Sequence, residues 1–462
     1  MGFDGVLNCL EMPSRPRTAS PRRLPAALIA AGICAVSSAA RASAFDVHGF
    51  GPAGVAEVNA RSARADDGTA AFYNPGGLGK GSGYRLEITA TGGLSALSAQ
   101  EAALPLESPF GFALALDATI PLGDPVGDRI RFGFGGYFLP SSALRLIARP
   151  AEEPLFPYYD NRTQRLVLLP ALAVRVTSAL SIGAAMNVLG GVIGSADVRP
   201  GASGAAEPRI QVEASTRAAI NAGVRFDPAP GVRLALTYRG RFSVPVRVAT
   251  AASIGGVPLA IDIEVREALF DPDTIVLGTS FDRGRAAFEL DVAYSAWSAY
   301  EGPFVIVSAE LPGVRIASDP APDVFRDTVS VRGAATYRLD VGRGAELTAR
   351  AGLGFEPSIM TNTQQGRTNL VDGNKTLVGI GATLEIRDLV PKTVRVGLGA
   401  SGQLVASYEQ DKRACAALPC PVNSVAGPDA ADPGAGISNP GYPTLRAGGS
   451  LWSLSLGLGV DL

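Results

Sequence analysis

The 462-residue chain has few of the side chains from which catalytic and metal centres are built, with one histidine (His48), four cysteines, four methionines and two tryptophans. A serine hydrolase needs a base beside its nucleophile, and His48 lies in no G-x-S-x-G context. With Cys9 and Cys34 falling in or before an expected leader, the one imidazole and the two thiols of Cys415 and Cys420 are too few for a zinc site. No catalytic residue, cofactor or metal is therefore expected. Charge is also scarce: charged residues are 18% of the chain and the net charge is −2, against roughly 25% charged in soluble domains. No basic surface is left for nucleic acid, and no nucleic-acid partner is expected. Long apolar runs are missing as well. Beyond residue 44 no charge-free apolar stretch reaches the roughly 20 residues of a transmembrane helix, although 47% of the chain is hydrophobic.

What is present begins with a leader. Arg15, Arg17, Arg22 and Arg23 precede an apolar run from Leu24 to Val36 and then small residues ending in Ala42-Ser43-Ala44. This is the order of a secretory signal peptide with an A-x-A cleavage site, so residues 1–44 are expected to be removed and the mature chain to begin at Phe45. The apolar run is too short for a membrane anchor. The residues before Met12 add nothing to the pattern, which leaves Met1 and Met12 open as initiators. Cys9 and Cys34 fall in or before the leader. Cys415 and Cys420, in an exported loop, are expected to form a local disulfide.

Past Gly83 one unit repeats: ten or more residues alternating between apolar and small or polar side chains, closed by a turn. Period two marks a strand with two different faces. Trp452, Leu454, Leu456, Leu458, Val460 and Leu462 share one face, with Ser453, Ser455, Gly457, Gly459 and Asp461 on the other. Elsewhere the second face is charged, as where Phe288, Leu290, Val292 and Tyr294 oppose Glu289 and Asp291. Alternation alone does not separate a soluble sandwich from a membrane barrel; loop lengths do. Tight connections (123–128, 177–178, 227–231, 282–285, 340–344, 388–392) alternate with long ones (98–108, 141–163, 197–208, 249–256, 301–325, 359–372, 409–447). Short periplasmic turns and long extracellular loops are the asymmetry of outer-membrane barrels. Six short and seven long connections join fourteen strands with both ends periplasmic. The prediction is an all-β fold, a 14-stranded antiparallel transmembrane β-barrel over 83–462, exported to the bacterial outer membrane. It is expected to be a monomer surrounded by outer-membrane lipid and lipopolysaccharide. Tyr294, Trp297, Tyr300, Tyr408 and Trp452 fall near strand ends, where an aromatic girdle would sit.

Residues 45–82 do not alternate. A fourteen-stranded barrel has a lumen too wide for its own side chains to fill, so this segment either plugs it or leaves an open pore. The stretches Gly51-Pro52-Ala53-Gly54 and Ala65 to Leu78, then Asp271-Pro272-Asp273-Thr274 with Leu277-Gly278 and Asp291 to Ser298, then Asp327 through Gly333 and Tyr337 to Asp372, follow one another in family order. In them the chain resembles the FadL/TodX-type outer-membrane transporters of long-chain fatty acids and hydrophobic compounds. The resemblance implies fourteen strands, an N-terminal hatch over 45–82, and passive uptake of a hydrophobic small-molecule ligand, a long-chain fatty acid or an aromatic or aliphatic hydrocarbon. Phe72, Tyr73, Asn74 and Pro75 would line or set the ligand pocket. The alternative is a structural or adhesive barrel without a dedicated ligand.

The resemblance also implies a third strand kinked inward to open a lateral exit, and Gly133, Gly135 and Gly136 are the candidate kink; close packing against the plug is the other reading of these glycines. The loop 141–163 is apolar for exposed sequence, with Leu144, Leu146, Ile147, Leu155 and Phe156. It is either a capture loop for a greasy ligand or a packed cover over the barrel mouth. By alternation Arg131, Arg175, Arg217, Arg225, Arg239, Glu289, Asp291, Arg332, Arg350 and Arg395 face the lumen, either as ion pairs that brace the barrel and pin the plug, with Asp66 and Asp67 as partners, or with an arginine reserved for a ligand carboxylate. The glycine-rich stretch from Gly76 to Ser82 lacks the Walker spacing and is expected to be a flexible hinge. His48 is expected to be a polar residue near a flexible terminus.

Overall fold

A strand whose two faces differ must give each face its own surroundings, and fourteen such strands do so by closing into a ring. The computed structural model describes residues 44–461, apart from 101, 105–109, 124–127, 140–153, 161, 163–165, 201–205, 255–256, 304, 312–313, 318–323, 343, 362, 365–368, 391 and 413–442. Residues 1–43 of the expected signal peptide, the Cys415–Cys420 disulfide, and Leu144, Leu146 and Ile147 lie outside the described residues. The wall strands are β1 (Tyr84–Ala99), β2 (Phe110–Thr119), β3 (Ile130–Phe138), β4 (Val167–Arg175), β5 (Leu180–Pro200), β6 (Ala206–Ala229) and β7 (Val232–Arg239). The ring continues with β8 (Thr274–Arg283), β9 (Ala286–Ser295), β10 (Thr328–Gly342), β11 (Ala345–Glu356), β12 (Lys375–Val390), β13 (Lys392–Lys412) and β14 (Thr444–Asp461). Each pairs antiparallel with the next. β14 closes on β1, from Arg85 opposite Asp461 to Ala99 opposite Ala447. Closure leaves no unpaired edge, the condition for spanning a bilayer with strands.

The outer face is greasy. Leu94, Ile220, Leu353 and Ile380 are 76%, 64%, 63% and 68% exposed, and the Leu454, Leu456 and Leu458 row of β14 is exposed with them. So continuous an apolar belt suits lipid and would be a liability in water. Among the described residues no helix is long and apolar enough to cross a membrane.

Three features differ from the sequence reading. First, the seventh and eighth strands, expected to run to 248 and from 257, leave the ring at Arg239 and Thr274; the chain beyond forms a hairpin, Phe242–Ile254 with Val257–Asp271, that pairs with Gly194–Asp197 of β5 and with the strand Val305–Leu311. Pro272 cannot donate to a ladder, and the Asp273 carboxylate holds the break by accepting from the Arg241 amide at 2.8 Å and the Tyr238 hydroxyl at 2.6 Å. Second, β3 carries no bulge at its glycines: its registers with β2 and β4 run without a shift. A side chain on Gly133 would meet Leu78 at 2.6 Å and one on Gly135 would meet the Phe50 ring at 2.8 Å, so these two make room for the N-terminal segment. Pairs are skipped between β4 and β5 at Leu169 and Pro170, where proline lacks the ladder N–H. Third, Tyr294 and Trp452 face outward, but Trp297 and Tyr300 are buried on the inner side. A 3-10 turn at Trp297–Ala299 ends the alternation of β9 and turns these rings inward.

Candidate functional site

Residues 44–82 hold only short helices, α1 (Ala44–His48), α2 (Gly51–Ala56) and α3 (Ala70–Tyr73), with a 3-10 turn at Pro75–Lys80. Helices this short do not persist alone in water; the wall holds them. The segment lies against every one of the fourteen strands. Asp66 pairs with Arg85 of β1 at 3.2 Å, and Gly68, Leu78 and Gly79 lie against Leu116 of β2, Gly133 of β3 and Arg175 of β4. The Ser181 hydroxyl of β5 donates to the Gly76 carbonyl at 2.7 Å, the Asn74 amide to the Val224 carbonyl of β6 at 3.1 Å, and the Thr237 hydroxyl of β7 to the Tyr73 carbonyl at 3.2 Å. Ser62 touches Gly278 of β8. The Arg64 guanidinium donates to Thr336 of β10 at 3.1 Å, and Glu57 faces Arg350 of β11 at 3.5 Å. Ala56 meets Gly379 of β12, the Gln403 amide of β13 donates to the Val47 carbonyl at 2.5 Å, and His48 meets Ser453 of β14 at 2.9 Å.

On β9 two buried acids hold backbone. Asp291 accepts from the amides of Arg61 and Ser62, both at 3.1 Å, and from the Ser62 hydroxyl at 2.6 Å, while Glu289 accepts from the Ala63 amide at 2.7 Å. Such bonds recover part of the cost of burying these carboxyl groups, although Oε2 of Glu289 is buried without a partner. Under α2 the wall is paved with glycine: Gly352 is paired with Gly379, Gly381 with Gly399, and Gly397 with Gly457. With no Cβ on these strands, the helix backbone comes down onto the wall.

Of the residues singled out from sequence, Phe72 and Tyr73 line a cavity of about 20 Å³ that they share with Arg239, Asp291 and Arg332. The Arg239 guanidinium sits 4.7 Å from the Phe72 ring, and Tyr73 donates to Asn59 at 2.7 Å. Asn74 and Pro75 do not line that cavity. Asn74 is fully buried and accepts from the Gly76 amide at 3.0 Å, starting the 3-10 turn and pinning it to β6. Gly76 to Lys80 is therefore no flexible hinge; a side chain on Gly76 would strike the Gly223 carbonyl at 2.7 Å and one on Gly79 would strike Ser181 at 2.7 Å. Glycine serves here to remove bulk.

His48 is likewise not at a loose end. It is 2% exposed, and burial lowers its imidazole to about 4. In the seated segment it stays neutral, whereas the released chain binds a proton below its ordinary 6.5. Seating is therefore unaffected above pH 6.5 and loses on the order of 3 kcal/mol as pH falls from 6.5 to 4. The expected result in planar bilayers is a leak that grows on acidification through this window and is absent from the pH response of His48→Gln. A leak with the same pH profile in both proteins would exclude His48 as its cause.

The lumen arginines are paired. Arg175 meets Asp128 at 2.7 Å, Arg225 meets Asp227 at 3.0 Å, Arg239 meets Asp46 at 3.1 Å and Arg332 meets Glu356 at 3.0 Å. Arg131 pairs with Asp117 and Arg395 with Asp461. Asp67 stands 3.8 Å from Arg61. The side chain of Arg217 lies outside the described residues. This is the bracing arrangement, and it pins the segment through Asp46, Glu57 and Asp66.

At the long-connection end an aromatic cluster covers the segment. Phe156, Tyr158 and Tyr159 fold in from the second long connection against Phe270, Trp297, Tyr300 and Phe325. Phe270 stacks on Tyr300 at 4.5 Å, and Arg162 lies 4.7 Å from the rings of both Tyr158 and Trp297. Lys375 is fully buried, 2.8 Å from Asp372 and 4.1 Å from the Tyr158 ring. Leu155 and Phe156 thus pack as cover over the mouth; Leu155 bridges Leu370 through backbone. Alternation gave no warning of this cluster, because its rings come from connections.

No family model matches the chain. Alkane uptake protein A of Marinobacter nauticus is 27% identical over 205 residues, which are 42% of this chain and 43% of that protein; the match spans less than half of the relative's length. Among solved structures, a FadL homologue of Pseudomonas aeruginosa superimposes with a TM-score of 0.56 at 14% identity, covering 89% of this chain and 98% of that one. The CymD monoaromatic hydrocarbon channel gives 0.55 at 14% identity over 91% and 99%, and the P. putida toluene transporter TodX 0.54 at 14% over 90% and 99%. At such identities the likeness is one of fold. In fold, the resemblance carried by residues 51–78, 271–298 and 327–372 is borne out.

Proposed function

From a fold shared with FadL- and TodX-type channels, we propose that this chain is a passive outer-membrane channel for hydrophobic small molecules, long-chain fatty acids or aromatic or aliphatic hydrocarbons. The observation that carries this reading is the stacking order in the lumen: an aromatic layer at the long-connection end, and beneath it a segment lying against all fourteen strands. A barrel built only to scaffold or adhere has no need to fill its bore. Residues 45–82 act as a hatch. The ligand is caught at the loops, passes the aromatic layer and reaches Phe72 and Tyr73. The cavities flanking the hatch there and beside His48 are each about 20 Å³, room for about one water, so passage requires the hatch to shift. Exit is lateral, into the membrane, and the skipped pairs at Leu169 and Pro170 mark the weakest seam near the third strand. The protein works as a monomer in outer-membrane lipid, without an energy source.

The test is uptake of a labelled alkane or fatty acid by cells with and without the protein, in the presence of an uncoupler. Uptake is expected to rise severalfold with the protein; equal uptake would sink the proposal. In the same assay, Pro170→Cys with Met186→Cys, oxidised to staple the seam, should abolish the gain and recover it on reduction. Undiminished uptake through the stapled wall would place the exit elsewhere.

A further inference from the structure

The first helix of the N-terminal segment is divided between two apolar clusters. Phe45 stacks on Phe50 at 3.9 Å and belongs, with Phe72 and Tyr137, to the cluster that seats the segment on β2 to β5. Val47, two residues on, belongs instead to the aromatic cluster of the cover, with Phe156, Tyr158 and Tyr159. Asn59 ties α1 to the rest of the segment, donating to the Phe45 and Asp46 carbonyls at 3.0 and 3.1 Å.

The cover also reaches α1 through the wall. Tyr158 and Tyr159 stand side by side on a one-turn helix, α4 (Pro157–Asp160), where neighbours diverge by roughly 100°, so they meet different strands. The Tyr158 hydroxyl donates to Glu356 of β11 at 3.0 Å, and the same carboxylate oxygen accepts from Arg332 of β10 at 3.0 Å. Tyr158, Arg332 and Glu356 line one cavity of about 20 Å³ with Asp46 and Val47 of α1. The Tyr159 hydroxyl donates to Oε1 of Gln403 on β13 at 3.1 Å, and Nε2 of the same side chain donates to the Val47 carbonyl at 2.5 Å. A carbonyl can only accept, which fixes the amide with its nitrogen toward α1 and its oxygen toward Tyr159. Val47 is in the last turn of its helix, where carbonyls have no following amide to bond, so Gln403 supplies the donor the helix lacks. Tyr159, Val47 and Gln403 are 0%, 2% and 7% exposed, so water hardly competes for these bonds.

A buried acceptor that loses its donor costs more than the bond had contributed. When the rings part and Tyr159 lifts, Gln403 keeps its oxygen paired only by turning, and turning takes its nitrogen away from Val47. We propose that the cover and the segment beneath it form one gate rather than two in series, joined at α1 through Tyr159 and Gln403, so that parting the aromatic layer loosens the hold on the segment. Gln403 is the positioning residue of this gate. The proposal deepens the channel reading, and rests on it only for the apolar ligand that parts the rings.

The test is hydrogen exchange, read by mass spectrometry, in peptides covering residues 45–59 of the purified full-length protein in neutral detergent. Tyr159→Phe, a change in the cover alone, is expected to speed exchange there about fivefold, and Gln403→Leu to speed it at least as much. In the Gln403→Leu background Tyr159→Phe should add nothing, because the tie it cuts is already gone. Tyr408 packs against the same cluster and its hydroxyl accepts from the Asp372 amide; Tyr408→Phe should leave exchange over 45–59 unchanged. Heat-modifiable mobility on gels verifies that each barrel is folded, and Gln403→Glu, which keeps the acceptor for Tyr159 and loses the donor to Val47, serves where Gln403→Leu is not. Exchange over 45–59 indifferent to Tyr159→Phe, an undiminished effect of Tyr159→Phe without the Gln403 amide, or an equal effect of Tyr408→Phe overturns the proposal. Failure of the channel reading would appear separately, as absent uptake with the coupled exchange intact.

Discussion

Deleting residues 45–82 is expected to convert the protein into an open pore, with conductance in planar bilayers rising roughly tenfold or more, because fourteen strands enclose a bore their own side chains cannot fill. The ring should survive the deletion. Its ladder is continuous from β1 round to β14 and back, with no strand borrowed from the segment. The wall groups that lose partners, Asp291 and Glu289 above all, would then face water, where a carboxylate is well solvated. Folding is verified by heat-modifiable mobility. A folded barrel whose conductance is unchanged would mean that something other than this segment closes the lumen.

Gly379→Val tests the same closure without removing a residue. An ideal Cβ at Gly379 comes 2.5 Å from the carbonyl oxygen of Ala56 and 2.9 Å from that of Val55. Both are backbone atoms of α2, so no rotamer change relieves the collision. Overpacking usually costs about 1–3 kcal/mol, and here the rigid partner on each side leaves the helix to lift. Valine itself suits a strand. The expected outcome is a leak approaching that of the deletion from a normally folded barrel. Ile380→Val, one position along and 68% exposed to the outside, should leave conductance unchanged. A tight Gly379→Val barrel would show that α2 is not seated on the wall as described.

Much of the barrel could be read from the chain because its two faces meet such different media. Lipid outside and a packed polar lumen inside imprint a period of two, and the lengths of the connections separate one end from the other. That logic located the six tight turns and fourteen strands. It failed where the chain leaves the ladder. Trp297 and Tyr300 look like girdle residues by position, yet a single 3-10 turn points them inward. The tips of the seventh and eighth strands look continuous, although Pro272 could have marked the break. Glycine was the least legible residue. At Gly76 it was read for backbone freedom and at Gly133 for freedom or close packing alike, whereas its contribution at both is the missing Cβ, which matters only because of a surface far away in sequence. A usable signal did exist: glycines two apart on the inward face, at 379 and 381, 397 and 399, and 457 and 459, recur on three successive strands.

The two acids of β9 bear on the order in which the molecule is put together. The amides of Arg61, Ser62 and Ala63 find their acceptors 230, 229 and 226 positions along the chain, and His48 finds Ser453 405 positions along. Contacts of such separation form late, after the intervening loops have closed. The segment precedes every strand in the chain, yet it has no complete seat until β14 has met β1. Insertion and sealing are thus successive events, and the seal can be completed only on a ring that has already been finished.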